Sequence, residues 1–301
     1  MSQKSGHFWA WVAMPVAVTV VICLIALFSG ESAKDYYNEG VGLTTAAAEG
    51  PSHTEWTKRA IALQKAKDWQ GLLDWSLKWT KSEPENAHAW FSLGGAYSHL
   101  NRFNDAVKAY RQAVRIDPEY VDGWCGLGAA YGNLQRYNDA IAAFRQATRI
   151  EPENAYAWYN LGMVYHLLNR YNEAIAAFRQ AIRIDPENAN AWYGLGYAYS
   201  QLKRENDAIG ALRQAIRIDP ENVNAWCILG VAYGTAKRYN EAIAAFRQAI
   251  RIDPENVNAW YGLGYAYSLS GNKTAALDAV RELRRLDPTK ADRLFNLIGP
   301  R

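Results

Sequence analysis

The sequence predicts an all-α fold built from stacked helix-turn-helix repeats. Prolines at 84, 118, 152, 186, 220, 254 and 288 recur every 34 residues across this 301-residue chain. Trp56, Trp90, Trp124, Trp158, Trp192, Trp226 and Trp260 hold the same period, each 28 residues before a proline. Between the two columns, apolar residues recur at i, i+4 and i+7, one stripe of a helix. Two independent columns in one register mean repeated supersecondary units.

Six units begin at Ala87, Val121, Ala155, Ala189, Val223 and Val257, and each carries W-x-x-L-G-x-x-Y, as in Trp90, Leu93, Gly94 and Tyr97. A small residue and an aromatic follow: Ala106 and Tyr110, Ala140 and Phe144, Ala174 and Phe178, Ala242 and Phe246. Counting from each unit's first residue, Trp, Gly and Tyr fall at positions 4, 8 and 11. Gly at position 8 and Ala at position 20 remove bulk where the two helices of a unit cross, and the Trp is expected to fill the remaining space. Burying ~200 Å² of indole at ~25 cal/mol per Å² stabilises a unit by at most roughly 5 kcal/mol. Only stacked neighbours bury that surface. Each Asp-Pro-Glu or Glu-Pro-Glu ends a helix, because proline disfavours helical geometry in the residue before it.

The stretch from His53 reads as a degenerate first repeat, with Arg59-Ala60 in place of Leu-Gly and Leu72 and Trp79 at small-residue positions. Its additional Trp69, Trp75 and Trp79 either close the open end or meet a membrane partner. In the last unit Val280 and Leu283 replace the aromatic and the Ala, and Leu212 replaces the aromatic in the fourth. Residues 289–301 read as a capping helix and tail, apolar through Leu294, Phe295, Leu297 and Ile298 and stopped by Gly299-Pro300.

The pattern resembles the tetratricopeptide repeat family, whose W-x₂-L-G-x₂-Y…A-x₃-F…P signature has the same 34-residue period. The resemblance implies a right-handed α-solenoid over residues 53–288, with repeats starting at 53, 87, 121, 155, 189, 223 and 257. It also implies a concave groove lined by the first helices, with positions 2, 5, 9, 12 and 13 facing a protein partner. The candidate partner-binding residues are then His88, Phe91, Tyr156, Tyr159, Asn160, Met163, His166, Asn190, Tyr193, Tyr197, Asn224, Cys227, Asn258, Tyr261 and Tyr265. Asn donates and accepts together and Tyr offers flat apolar area with a polar tip, so this lining suits an extended segment or loop of another protein. The alternative is structural: Tyr at position 5 seals the helix layer and Asn at position 2 terminates the inter-unit turn. Members that clamp chaperone C-termini use Lys and Asn at fixed groove positions, and only Asn160 matches.

The segment from Phe8 to Phe28 holds no charged residue. At 1.5 Å per residue it reaches about 30 Å, a bilayer core, so residues 8–29 are expected to be a transmembrane helix, with 1–7 as its tail. A cleaved signal peptide would have a shorter apolar region and a small-x-small site. Lys4 and the terminal amine face only Lys34 across the span, which favours a cytoplasmic N-terminus and extracytoplasmic repeats. Residues 30–52 read as a linker, reaching about 75 Å if extended.

Formal net charge is +3 with signs interspersed, and nothing in it calls for nucleic acid. Arginines recur at positions 25 and 29 of the second helices, and acids at position 19 and around the proline, which reads as solvated ion-pair ridges. His7, His53, His88, His99 and His166 and Cys23, Cys125 and Cys227 show no metal or haem spacing, no phosphate loop and no nucleophile elbow. No catalysis, cofactor, metal or small-molecule substrate is expected. The reading is a single-pass, membrane-anchored scaffold, an accessory or assembly subunit of a larger complex, by resemblance to anchored repeat proteins of bacterial membranes. A maturation factor holding unfolded clients such as apocytochromes or pilins, or a substrate-delivery partner of a separate enzyme, are the alternatives.

Overall fold

The computed structural model describes residues 51–299. The expected tail 1–7, the span 8–29 and nearly all of the linker 30–52 lie outside them. Among the described residues no helix is long and apolar enough to cross a membrane, and the described secondary structure is fifteen α-helices without strands. They are α1 (His53–Lys65), α2 (Trp69–Ser82), α3 (Ala87–His99), α4 (Phe103–Ile116), α5 (Val121–Asn133), α6 (Tyr137–Ile150), α7 (Ala155–Leu167), α8 (Tyr171–Ile184), α9 (Ala189–Gln201), α10 (Glu205–Ile218), α11 (Val223–Thr235), α12 (Tyr239–Ile252), α13 (Val257–Leu269), α14 (Lys273–Leu286) and α15 (Pro288–Ile298). They form two compact units, of described residues 51–160 and 161–299, with the division inside α7.

In the first unit α1 to α6 pack consecutively, and α3 also touches α5. The position-24 aromatics carry the packing. Tyr110 is 2% exposed, and a Cβ added at Gly94 of its own repeat or Gly126 of the next would stand 2.6 Å from its ring. Two glycines therefore form a socket that only a bare backbone permits. Phe144 sits likewise against Gly128. The first repeat inverts the scheme: Leu72 and Trp79 are large where later repeats are small, and Ser76 replaces the aromatic. Ser76 Oγ then shares a buried 2.8 Å hydrogen bond with Ser92 Oγ, at the register position Gly126 holds one repeat later.

The extra tryptophans of this repeat turn inward. Trp56 lies 4.3 Å from Trp75 and stacks on Trp79 at 6.2 Å, Trp75 Nε1 donates to the Trp56 carbonyl, and Trp69 stacks on His99 at 3.7 Å. They close the end of the core.

In the second unit α8 to α15 pack consecutively, with α9 touching α11, α11 touching α13 and α13 touching α15. Phe178 fills the socket of Gly162 and Gly194, Phe246 that of Gly230 and Gly262, and Leu212 lies against Gly196. At the far end Leu294 of α15 packs at Gly264, where the preceding repeats present their own position-24 side chain.

The tryptophan column does a different task from the one its spacing suggested. Trp90, Trp124, Trp158, Trp192, Trp226 and Trp260 are only partly buried. Each donates Nε1–H to the carbonyl of the proline six residues earlier, at 2.7 to 2.9 Å. The Trp and Pro columns are thus one device: the indole ties down the turn the proline makes, and the position-24 side chain fills the crossing. Asn86, Asn154, Asn188, Asn222 and Asn256 cap the helices that follow, each accepting from a backbone N–H of the first turn.

The turn within each repeat requires a left-handed residue. Lys67, Asn101, Gln135, Asn169, Lys203 and Lys237 have φ between 55° and 61°, with Gly271 at 85° in the same register. The arginine after it lies over the position-11 Tyr ring: Arg102 on Tyr97, Arg136 on Tyr131, Arg170 on Tyr165, Arg204 on Tyr199 and Arg238 on Tyr233, at 4.5 to 4.8 Å. Those arginines also take the position-19 acids, in pairs such as Arg102–Asp105 and Arg238–Glu241. The position-19 acids thus serve position 16, while a position-29 arginine meets an acid beside the proline, Arg217 pairing with Glu187 at 3.1 Å. Position-29 arginines also hydrogen-bond a Gln three residues earlier, as Arg217 does to Gln214.

Gly194→Ala is expected to lower stability by about 1–3 kcal/mol, because its Cβ would stand 2.6 Å from the Phe178 ring. Gly210→Ala, exposed in α10 with nothing within 4 Å, is expected to raise it by about 0.5–1 kcal/mol. Urea unfolding followed by circular dichroism checks both; a neutral Gly194→Ala would contradict the socket.

Candidate functional site: the face of the first helices

In the first unit, His88 on the first turn of α3 is exposed as a residue, with its ring partly covered by Tyr120, and Phe91 is half-buried one turn on. Both meet Tyr120, at 4.9 and 5.3 Å between ring centres, and Phe91 also meets Tyr110 at 5.7 Å. Burial, reinforced by His53, holds the His88 imidazole below its ordinary pKa, against Asp117 and Asp122. Tyr120 was absent from the predicted set. Its signal was a break in the Asn cap column: α5 starts from Tyr120 with no side-chain cap. Tyr156 is half-buried and its phenol is pushed well above the usual range by burial. Tyr159 is half-buried and Asn160 is 4% exposed, with Nδ2 donating to the Tyr156 carbonyl at 2.8 Å. The Asn160 amide is spent inside its own helix.

In the second unit, Met163 is half-buried on α7 and His166 is 8% exposed. The His166 ring stands edge-on to Tyr197 at 4.7 Å and lies 5.7 Å from Tyr171; Tyr193 lies 6.5 Å from Tyr197. His166 Nδ1 is buried without a hydrogen-bond partner among the described residues, and burial lowers the imidazole to about 4. Burial raises the Tyr197 phenol to about 12, with Tyr171 adding to it. Burial, with Tyr239 nearby, also raises Tyr265, so the pairing of positions 9 and 17 returns two repeats later.

Asn190 and Asn224 are exposed on the first turns of α9 and α11. The caps of those helices are Asn188 and Asn222, so position-2 asparagines do not terminate the turns. Asn258 is engaged by α15, accepting from Lys290 Nζ at 3.1 Å. Tyr261 and Tyr265 are half-buried. Cys227 is 4% exposed among Ala249, Ala259 and Trp226, its thiol raised to about 12 by burial. Asn160, His166, Tyr197 and Cys227 are thus buried and do not present a surface, because packed neighbours cover these positions. The accessible members are His88, Phe91, Tyr159, Met163, Asn190, Tyr193, Asn224, Tyr261 and Tyr265.

Among the described residues no group of three His, Cys, Asp or Glu is placed to hold a metal. A depression of about 480 Å³ lies at the inter-repeat turns of the first unit, lined by Glu83, Pro84, Glu85, Asn86, Ala87, Ile116 and Asp117. It is separate from the predicted residues.

These features define an all-α helical-repeat protein whose first helices present aromatic and amide side chains. Tetratricopeptide repeat models match residues 95–135, 133–169, 162–203 and 235–271, with further ones at 189–222, 211–244 and 257–290. Together they cover more than half of the chain, which belongs to the tetratricopeptide repeat family. Proteins of this family are generally non-enzymatic scaffolds. No curated protein matches the chain. Among solved structures it is similar to MamA, at 27% identity over 57% of this chain and 94% of that one, with a TM-score of 0.54. It is similar to YrrB, a repeat protein with an unusual peptide-binding site, at 22% identity over 63% and 99%, TM-score 0.57. It is also similar to pilF of Pseudomonas aeruginosa, at 19% identity over 70% and 97%, TM-score 0.60. The last two likenesses show the fold alone.

Because the folded His166 has its pKa near 4 and the unfolded one near 6.5, the unfolded chain binds the extra proton between those values. His166 therefore contributes stability that is intact above about pH 6.5 and lost as pH falls towards 4, some 2–3 kcal/mol by pH 4.5. Thermal melts should show that His166→Gln flattens the fall in Tm between pH 7 and 4.5; an unchanged pH dependence would contradict the burial.

Proposed function

We propose that this chain is a membrane-anchored protein–protein interaction scaffold, an accessory or assembly subunit of a larger membrane complex. One observation carries the partner-binding part: the repeats differ mainly on their first helices. α8 and α12 have the same sequence, YNEAIAAFRQAIRI, whereas α7, α9, α11 and α13 differ among themselves at positions 1, 2, 5, 6, 9, 10, 12 and 13, with α9 and α13 differing at positions 1 and 13 alone. The groove positions 2, 5, 9, 12 and 13 that the family resemblance assigns to a partner are among those that change. The accessible Asn190, Tyr193 and Asn224 are the residues assigned to contact a partner segment.

Anchoring is carried by the sequence alone. The uncharged run over residues 8–29 is long enough to span, the linker 30–52 joins it to the repeats, and the Lys balance favours the extracytoplasmic side for them, in a bacterial case outside the inner membrane. The chain itself acts by holding proteins together.

Affinity purification from solubilised membranes, with mass spectrometry, tests this reading. A partner is expected at fixed stoichiometry with the wild type and at no more than about a tenth of that with Asn190→Ala, Tyr193→Ala and Asn224→Ala combined, since contact hot spots often contribute about 2 kcal/mol or more. Helicity should be unchanged. Undiminished recovery by the variant would place binding elsewhere, and capture only of unfolded clients would favour the maturation factor.

A further inference from the structure

We propose that the first-helix face of the first unit takes an arginine side chain of a partner segment, held by the rings of His88, Phe91 and Tyr120 and the carboxylate of Asp122. This rests on the reading of that face as a partner surface and adds the side chain that it selects. The six first helices that carry the W-x-x-L-G-x-x-Y signature, α3, α5, α7, α9, α11 and α13, contain no Lys or Arg, and Asp122 is their one carboxylate. In the second unit the same position holds Asn190, Asn224 and Asn258.

Contacts tie these groups into one place. Tyr120 meets the His88 ring at 4.9 Å and the Phe91 ring at 5.3 Å. Asp122 follows two residues later, and its charge acts on His88, Tyr120 and Cys125. Burial and then that charge raise the Tyr120 phenol and the Cys125 thiol. At the counterpart Cys227 the added charge is that of Asp253 in the turn, since position 2 there is Asn224. No cation answers Asp122. The residue is exposed, yet cover around its carboxyl, and then Glu151, raise its pKa above the ordinary value. It forms no hydrogen bond and no pair with Lys or Arg among the described residues, and neither Asp117 nor Glu151 meets Lys or Arg there. Burial keeps the His88 imidazole below its ordinary pKa and so neutral at pH 7.

An acid on the first turn also steadies the N-terminus of α5, which lacks a side-chain cap. That duty leaves the rings unexplained, and Tyr120 stands where the other signature repeats start from Asn. A guanidinium uses both features: it stacks on aromatic faces and pairs with a carboxylate through a planar fork, whereas an ammonium is more strongly hydrated. A metal ion fits less well, since among the described residues no group of three His, Cys, Asp or Glu is placed to hold one.

Selection of displayed random peptides on the detergent-solubilised full chain, followed by titration of those recovered, tests the proposal. The peptides are expected to share an arginine at a fixed position, and its replacement by citrulline, which keeps the shape and removes the charge, should weaken binding at least about fivefold. Asp122→Asn should bring that ratio below about twofold with helicity unchanged. Glu221→Gln, an exposed charge of the second unit, should leave it as in the wild type. An arginine preference that survives Asp122→Asn would overturn the proposal. Selected peptides without a fixed arginine that still need Asn190, Tyr193 and Asn224 would overturn it alone and leave the partner surface standing. Peptides indifferent to both sets of substitutions, or no peptide recovered, would overturn the partner surface as well.

Discussion

The close approach of a position-24 side chain to bare glycine backbone is the contact on which the rest of the structure depends. Tyr110 between Gly94 and Gly126, Phe178 between Gly162 and Gly194, and Phe246 between Gly230 and Gly262 each join the two helices of one repeat to the first helix of the next. Such a socket sets the spacing between repeats as well as within them, and Phe144 keeps only its own repeat's half of it, Gly128, with Asn160 in the register of the second glycine. Where the ring is missing the partners change together: Ser76 meets Ser92 through a hydrogen bond, and Leu294 packs at Gly264. Stability of an array built this way resides in the interfaces between neighbours.

The period, the helix pairs and the unusual first repeat were legible in the columns of Trp and Pro, since a fixed interval reports directly on a repeated unit. The division of labour between the aromatics was not. An apolar stripe at i, i+4 and i+7 places Trp, Gly and Tyr on one side of a helix, but it does not say that the indole N–H finds the carbonyl six residues earlier and so stays at the edge of the core. Exposure was equally hidden. Cys227 and Tyr197 occupy positions that the family turns towards a ligand, yet neighbouring residues cover them. Tyr120 was visible only as a missing Asn, a signal that becomes meaningful once the Asn column is known to cap helices.

Function follows from the contrast between the two helices of each repeat. Among the second helices, α4, α6, α8 and α12 keep an aromatic filler and the small residues around it, whereas α10 and α14 carry Leu212 and Val280 in its place. The first helices use Leu and Gly for packing and leave positions 2, 5, 9, 12 and 13 to vary, which is where a partner would be distinguished. The degenerate repeat divides its duties by side: indoles inward to finish the core, lysines outward.

The central claim is that partners contact the first helices and not the second. Photo-crosslinking in native membranes tests it most directly, with p-benzoylphenylalanine placed at Tyr193 or Asn224 on the first helices, and at exposed Arg213 or Ala244 on the second. The account predicts discrete protein adducts from Tyr193 and Asn224 and none from Arg213 or Ala244. Adducts from the second-helix sites alone would contradict it.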